Sequence, residues 1–225
     1  MSDFLRILEN EVQIFALSFL VCVYFLRIIW LFKFKSSKEK SFPAGNAKAG
    51  IAYSMLNVAM PWSMESTRKK PGFYVQFALF HIGVAAAIGA TFIIPYWPSV
   101  FKIKAILWLF RIIVAAAFIV GLFRLYRRLA NPAMKLISSL DDYFSIVLLI
   151  LYFAVAYMAM PNDYEKSEWP LILFFALTAF FLIYVPFSKI GHYLYYPFTR
   201  FFLGRTMGHR GVFARKKNKR TTDRF

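Results

Sequence analysis

Cysteine and histidine are scarce in this sequence. Cys22 is the single cysteine, and three histidines occur among the 225 residues. One cysteine cannot form an intrachain disulfide, and one thiolate cannot hold an iron–sulfur cluster or a zinc site. Any redox centre that this chain carries must therefore be bound through histidine.

Acidic residues are also few, 11 against 28 lysines and arginines, and the formal net charge is +17. Most of the basic residues lie in alternate loops. Segments 33–72, 124–139 and 189–225 hold 8, 4 and 10 of the 28, whereas the loops on the other side hold four. This asymmetry follows the positive-inside rule, which places the N-terminus outside and the C-terminus in the cytoplasm. A charge distributed by loop in this way does not indicate nucleic acid as a partner.

Apolar residues, in contrast, make up 60% of the chain and occur in long runs. A helix needs about 20 predominantly apolar residues to cross the hydrocarbon core of a bilayer. Windows that meet this need lie at 12–34, 73–95, 103–123, 143–160, and 170–187 or somewhat beyond. They predict an all-α integral membrane protein. Its five transmembrane helices form a bundle in residues 1–200, with a cytoplasmic loop at 35–72 and a basic cytoplasmic tail at 201–225.

Two shorter segments carry local signals. Residues 47–62 mix apolar and polar side chains, which predicts an amphipathic helix along the cytoplasmic interface that covers lipid or meets a partner subunit. The run 138–142 (Ser-Ser-Leu-Asp-Asp) predicts a capping box at the start of the fourth span. Asp141 and Asp142 at a membrane boundary are also compatible with a proton-handling site.

The histidines lie at three different kinds of position. His81 is about 12 Å from the cytoplasmic end of the second predicted span, at 1.5 Å per residue. His192 is at the cytoplasmic end of the fifth span, and His209 lies in the basic tail, where solvation or a contact with a cytoplasmic subunit is expected. Because ionisable residues are costly inside a membrane, His81 and His192 are the candidates for a functional site.

Two imidazoles on facing helices are the usual axial ligands of a b-type heme in a helical bundle. A porphyrin also needs a slot, and Ala78 and Ala85 share the helical face of His81. Further small residues thin the rest of that helix, namely Gly83, Ala86, Ala87 and Gly89. The alternative is tight helix packing through these small residues, with the histidines hydrogen-bonded across helices.

The segments around these histidines resemble a known family. Residues 79–83 (Leu-Phe-His-Ile-Gly), and 186–192 (Pro-Phe-Ser-Lys-Ile-Gly-His) followed by Pro197, resemble the heme-binding regions of the gamma subunit of respiratory nitrate reductase. The run 139–144 is more similar to related membrane cytochromes b of sulfite-reduction and heterodisulfide-reductase-like complexes. The resemblance implies a multi-pass protein of the cell inner membrane in which His81 and His192 ligate heme iron. It also implies a cytoplasmic iron–sulfur partner and a quinone, menaquinone or a related one, as substrate.

The sequence departs from that family at the second heme. The nitrate reductase gamma subunit holds two b hemes, and the positions of its other ligand pair are occupied here by Thr91 and Phe174. Neither side chain can replace an imidazole. We therefore predict one heme b, on the cytoplasmic side of the bundle, with Phe174 in part of the space that a second porphyrin would take.

These observations predict a membrane cytochrome b subunit that anchors a cytoplasmic iron–sulfur oxidoreductase and passes electrons between it and the quinone pool. The chain would be part of an electron-transfer complex rather than an enzyme acting alone. Arg27, Lys189 and Arg200 are candidate partners for heme propionates, although lipid-headgroup anchoring explains each equally well. Arg111 and Lys104 are candidates for a quinone site. The alternatives are a heme-free membrane anchor or assembly subunit and, less favoured because no inverted repeat occurs, a small transporter.

Overall fold

The computed structural model describes residues 1–33, 39–60 and 68–212, and the regular structure in these ranges is helical throughout. The helices are α1 Asp3–Glu9, α2 Glu11–Lys33, α3 Ala47–Ala59, α4 Pro71–Tyr96, α5 Ser99–Lys102, α6 Lys104–Ala130, α7 Pro132–Ile137, α8 Leu140–Ala159, α9 Trp169–Tyr184 and α10 His192–His209. Two 3-10 turns, Val185–Phe187 and Lys189–Gly191, connect α9 to α10.

Five helical segments among the described residues are long and apolar enough to cross a membrane, which confirms the predicted number. They are Asp3–Lys33, Pro71–Tyr96, Lys104–Ala130, Leu140–Ala159 and Trp169–Phe187. The first begins nine residues earlier than predicted, because α1 lies directly before α2. The third continues seven residues further, to Ala130. The described part of the chain is thus all-helical and consistent with a multi-pass membrane protein, whose orientation remains a prediction.

Residues 1–32 and 71–191 form one compact unit. In it α4 packs on α6, α6 on α8 and α8 on α9, while α1 also packs on α9. Close approach of these helices depends on small residues, since apolar side chains gain little by leaving lipid for one another. A Cβ added to Gly83 of α4 would lie 2.1 Å from the Cβ of Ala117, and one added to Gly121 of α6 would lie 2.8 Å from Cγ1 of Ile150.

The described residues of 33–70 and 192–212 form a second compact unit, which contains α3 and α10. The two helices run antiparallel in close contact. A Cβ at Gly204 would lie 2.7 Å from the carbonyl oxygen of Gly50, and one at Gly208 would lie 2.6 Å from that of Asn46. The helix expected at 47–62 is present over Ala47–Ala59, and residues 61–62 lie outside the described residues. Its partner α10 was not predicted as a helix.

Candidate functional site

His81 lies on α4 with its side chain exposed. Its Nδ1 is 2.8 Å from the carbonyl oxygen of Phe77, one turn earlier, and its ring packs on the Phe77 ring at 4.0 Å between centroids. A carbonyl can only accept, so Nδ1 carries the proton, and in the neutral imidazole Nε2 then carries the lone pair. Histidines that ligate metals usually donate their other N–H in this way. The side chain therefore has the tautomer of an Nε2 ligand.

The small residues of α4 serve mainly to pack the helices, which corrects part of the slot prediction. Gly83, Ala86 and Ala87 are buried, and Gly83 closes directly on Ala117 of α6. These side chains therefore face the core of the bundle and not a porphyrin. Space beside His81 is provided by Ala78, which is half-buried, and Ala85, which is exposed.

The second candidate, His192, was predicted at the end of the fifth span, but that span ends at Phe187 and His192 is instead the first residue of α10, with its side chain exposed. It belongs to the second compact unit, whereas His81 belongs to the first. His192 directly follows the 3-10 turn Lys189–Gly191, which an acidic pair on α8 anchors within the first unit.

Both aspartates at the start of α8 hold the turn. The Lys189 backbone N–H donates to Oδ2 of Asp141 at 3.1 Å, and the Lys189 ammonium donates to Oδ2 of Asp142 at 2.7 Å. Ser139 accepts from the same ammonium at 2.8 Å, and the Tyr184 hydroxyl donates to Oδ1 of Asp141. We call these five residues the Asp141–Asp142 cluster. It joins the start of α8, the end of α9 and the turn in one polar network.

Each aspartate of the cluster has a structural role, and that of Asp142 includes the predicted capping of α8. The capping box is confirmed, because the Ser139 backbone N–H donates to Oδ2 of Asp142 at 2.8 Å. Asp142 thus both caps α8 and pairs with Lys189, which had been considered a propionate partner. The bonds of Asp141 to Tyr184 and to the turn were not anticipated, because Asp141 and Lys189 are 48 residues apart.

Two other predicted propionate partners have contacts within their own units. The guanidinium carbon of Arg27 lies 5.4 Å from the centroid of the Phe187 ring. Arg200 donates from Nε and Nη2 to the carbonyl oxygen of Ser54, at 3.1 and 3.0 Å, and thereby joins α10 to α3. Both contacts hold parts of the protein together, and the binding of a heme propionate by either arginine remains a prediction.

The third histidine fixes the end of α10. Nε2 of His209 donates to the carbonyl oxygen of Ser41 at 2.8 Å, and Arg210 forms an ion pair with Glu39 at 2.8 Å. Hydrogen bonds from the backbone and hydroxyl of Ser41, together with Arg210, lower the pKa of Glu39 below its ordinary value. His209 therefore has a structural partner within the second unit.

The positions of the family's second ligand pair have different surroundings. Thr91 donates its hydroxyl to the carbonyl oxygen of Ile88 in its own helix, at 2.6 Å. Phe174 is fully buried and stacks on Tyr152 of α8, with 5.5 Å between ring centroids and 12° between planes. The hydroxyl of Tyr152 is bonded in turn by Thr178, at 3.3 Å. Aromatic packing thus fills the space around Phe174.

The quinone candidates lie near the start of α6. Lys104 is exposed, and Arg111 is half-buried between two aromatic rings, those of Trp108 and Tyr157. The spacing of three residues in α6 places Trp108 beside Arg111, but no local pattern indicates the contact with Tyr157, which lies on α8. No group of three or more histidine, cysteine or acidic side chains suited to a metal ion occurs in the described ranges. A bis-histidine heme needs no such group, because the porphyrin itself supplies four of the iron ligands.

No protein-family model matches the chain. The chain is similar to a protein of Nitratidesulfovibrio vulgaris (strain Hildenborough), with 26% identity over 159 residues that cover 69% of this chain and 70% of that protein. The name of that relative, "Protein", states no activity. A likeness of this size does not assign a family, so the resemblance to the nitrate reductase gamma subunit remains a prediction from the motifs.

Proposed function

We propose that this chain is the membrane cytochrome b subunit of an electron-transfer complex. It carries one heme b whose iron is held by His81 and His192, and it passes electrons between a cytoplasmic iron–sulfur partner and the quinone pool of the inner membrane. The observation that carries the proposal is the bond from Nδ1 of His81 to the Phe77 carbonyl oxygen. This bond leaves the lone pair on Nε2, the nitrogen that an axial ligand offers to iron.

A flat porphyrin ring fits the side of α4 that carries Ala78 and Ala85 better than the side that carries Gly83. Ala78 and Ala85 flank the histidine without a bulky side chain, whereas Gly83 and its buried neighbours are committed to α6. The heme, when bound, supplies one-electron chemistry, and the protein supplies ligation and surroundings. The Asp141–Asp142 cluster anchors the turn that precedes His192 in the chain.

A second candidate function is a heme-free anchor or assembly subunit, and the contact of Gly83 with Ala117 favours it. In that case α4 would be rich in small residues for packing alone. A reduced-minus-oxidised spectrum of the purified full chain separates the two functions. We expect b-type absorption bands, and a purified, folded protein without them would support the heme-free function.

A further inference from the structure

Arg111 of α6 is a cation in a membrane-spanning helix with aromatic neighbours on two sides. Its guanidinium carbon lies 4.0 Å from the ring centroid of Tyr157 on α8 and 5.0 Å from that of Trp108. Its Nε is buried without a hydrogen-bond partner, and no carboxylate of the described residues pairs with it. A charge at membrane depth without a counter-charge is costly, and such residues generally mark a ligand site or pathway.

The guanidinium lies toward the Lys104 end of α6. Arg111 is seven residues into α6 from Lys104, about 10 Å along the axis. Tyr157, on which the guanidinium rests, is two residues from the end of α8 at Ala159. A long arginine side chain extends toward the headgroups, so the phosphate of a lipid in the leaflet at this end is the anion nearest to its charged end.

The neighbouring surface of α6 is both cationic and apolar. Lys104, Trp108 and Arg111 follow one another at spacings of four and three residues, so they share a helical face. The side chains of Trp108 and Ile112 are 51% and 62% exposed, a surface suited to acyl chains. A ligand at Arg111 would thus have two cations near its head and an apolar helix beside its tail.

The chemistry of the guanidinium indicates which ligand head group it binds. Aromatic rings do not use up its N–H donors, and the fork that these donors form matches two oxygens of a phosphate. A quinone, as expected from the sequence, would offer one carbonyl oxygen and no charge to balance Arg111. We propose that Arg111, with Lys104 at the edge, binds the phosphate diester of an anionic phospholipid in the leaflet at the Lys104 end of α6.

The test uses the full chain, purified in detergent and depleted of lipid. Phosphatidylglycerol, phosphatidylcholine with the same acyl chains, and inorganic phosphate are added separately, and bound lipid is counted by native mass spectrometry. We expect phosphatidylglycerol to bind preferentially. Arg111→Gln should weaken its binding about 10- to 100-fold, as is typical for loss of charge-assisted hydrogen bonds. Arg111→Lys, which keeps the charge but not the fork, should fall between.

Lys102→Gln is the matched control, because this exposed lysine lies just before α6 and outside the Lys104, Trp108 and Arg111 face. It should bind phosphatidylglycerol as the unaltered chain does. Arg111→Lys also keeps the proposal testable if Arg111→Gln does not fold. Unchanged lipid binding in both Arg111 variants would overturn the proposal. So would equal binding of inorganic phosphate, or Arg111-dependent binding of a menaquinone analogue with no effect of phosphatidylglycerol.

Discussion

At the scale of single residues, His81 and His192 are each expected to contribute one bond to iron. Replacing either by Ala should remove most of the bound heme, because a six-coordinate b heme is held largely by its two axial ligands. The protein should still insert, since the apolar helices are unchanged. Heme per polypeptide, measured on membranes with equal amounts of the chain, checks this result.

His209→Ala is the control for these two variants. His209 is occupied by the carbonyl oxygen of Ser41 in the second unit, so its loss should leave the heme content unchanged. Full heme retention in both His81→Ala and His192→Ala would exclude them as ligands.

Asp142 and Lys189 form one ion pair, but their loss should have unequal costs. The Lys189 side chain is 58% exposed, so Lys189→Met removes a pair worth about 0.2–1 kcal/mol. Asp142→Asn weakens the same pair and also the capping box with Ser139, and a cap is worth about 0.5–2 kcal/mol. Thermal unfolding in detergent should rank Asp142→Asn as the less stable variant. Equal loss of stability would mean that neither the cap nor the longer ion pair of Asp142 with Arg128, at 3.9 Å, contributes measurably.

At the scale of helices, the contact of α4 with α6 depends on the absence of one side chain. A Cβ at Gly83 meets the Cβ of Ala117 at 2.1 Å, and neither atom can rotate away. Gly83→Ala should therefore push the helices apart and destabilise the protein by about 1–3 kcal/mol, the usual cost of overpacking. The change is measured as a lower midpoint of thermal unfolding.

Gly72→Ala provides the matched control in the same helix. A Cβ at Gly72 meets nothing within 4 Å, and alanine is the better helix former. This variant should be as stable as the original or slightly more so. A similar loss of stability in both variants would mean that glycine is needed in α4 for a reason other than contact with α6.

The existence of the membrane-spanning helices could be predicted from sequence composition, but the positions of their ends could not. Apolar windows of about 20 residues reveal membrane-spanning helices directly, but their ends depend on hydrogen bonds that continue past the apolar stretch. The third window stops before Arg124, whereas α6 continues through the arginines to Ala130. The helix α10 has a proline inside and few long apolar runs, so no pattern indicated it.

The candidate site was predictable only in part, for a similar reason. Helical spacing places Ala78, Gly83 and Ala85 near His81 along the chain, but it does not say which of them faces another helix. The structure assigns Gly83 to helix packing and leaves the other two beside the histidine. The pairing of Asp142 with Lys189, 47 residues away, has no local signal at all.

At the scale of the whole molecule, the uneven distribution of lysine and arginine predicts the orientation in the membrane. A reporter that is active only in the cytoplasm should be active when fused after Phe225. A reporter that is active only outside should be active when inserted near Asp163. Paired reporters of each kind at both positions make the measurement. The opposite pattern would reverse the side on which the soluble partner is expected.

The number of hemes tests the central proposal most directly. Phe174 is fully buried against Tyr152, and Thr91 bonds to its own helix, so the second ligand pair of the nitrate reductase gamma subunit has no equivalent among these residues. One heme per chain should therefore be bound. Pyridine hemochrome measurement against quantitative amino-acid analysis should give one heme b per polypeptide. Two hemes per chain, or none in folded protein purified from membranes, would contradict the account.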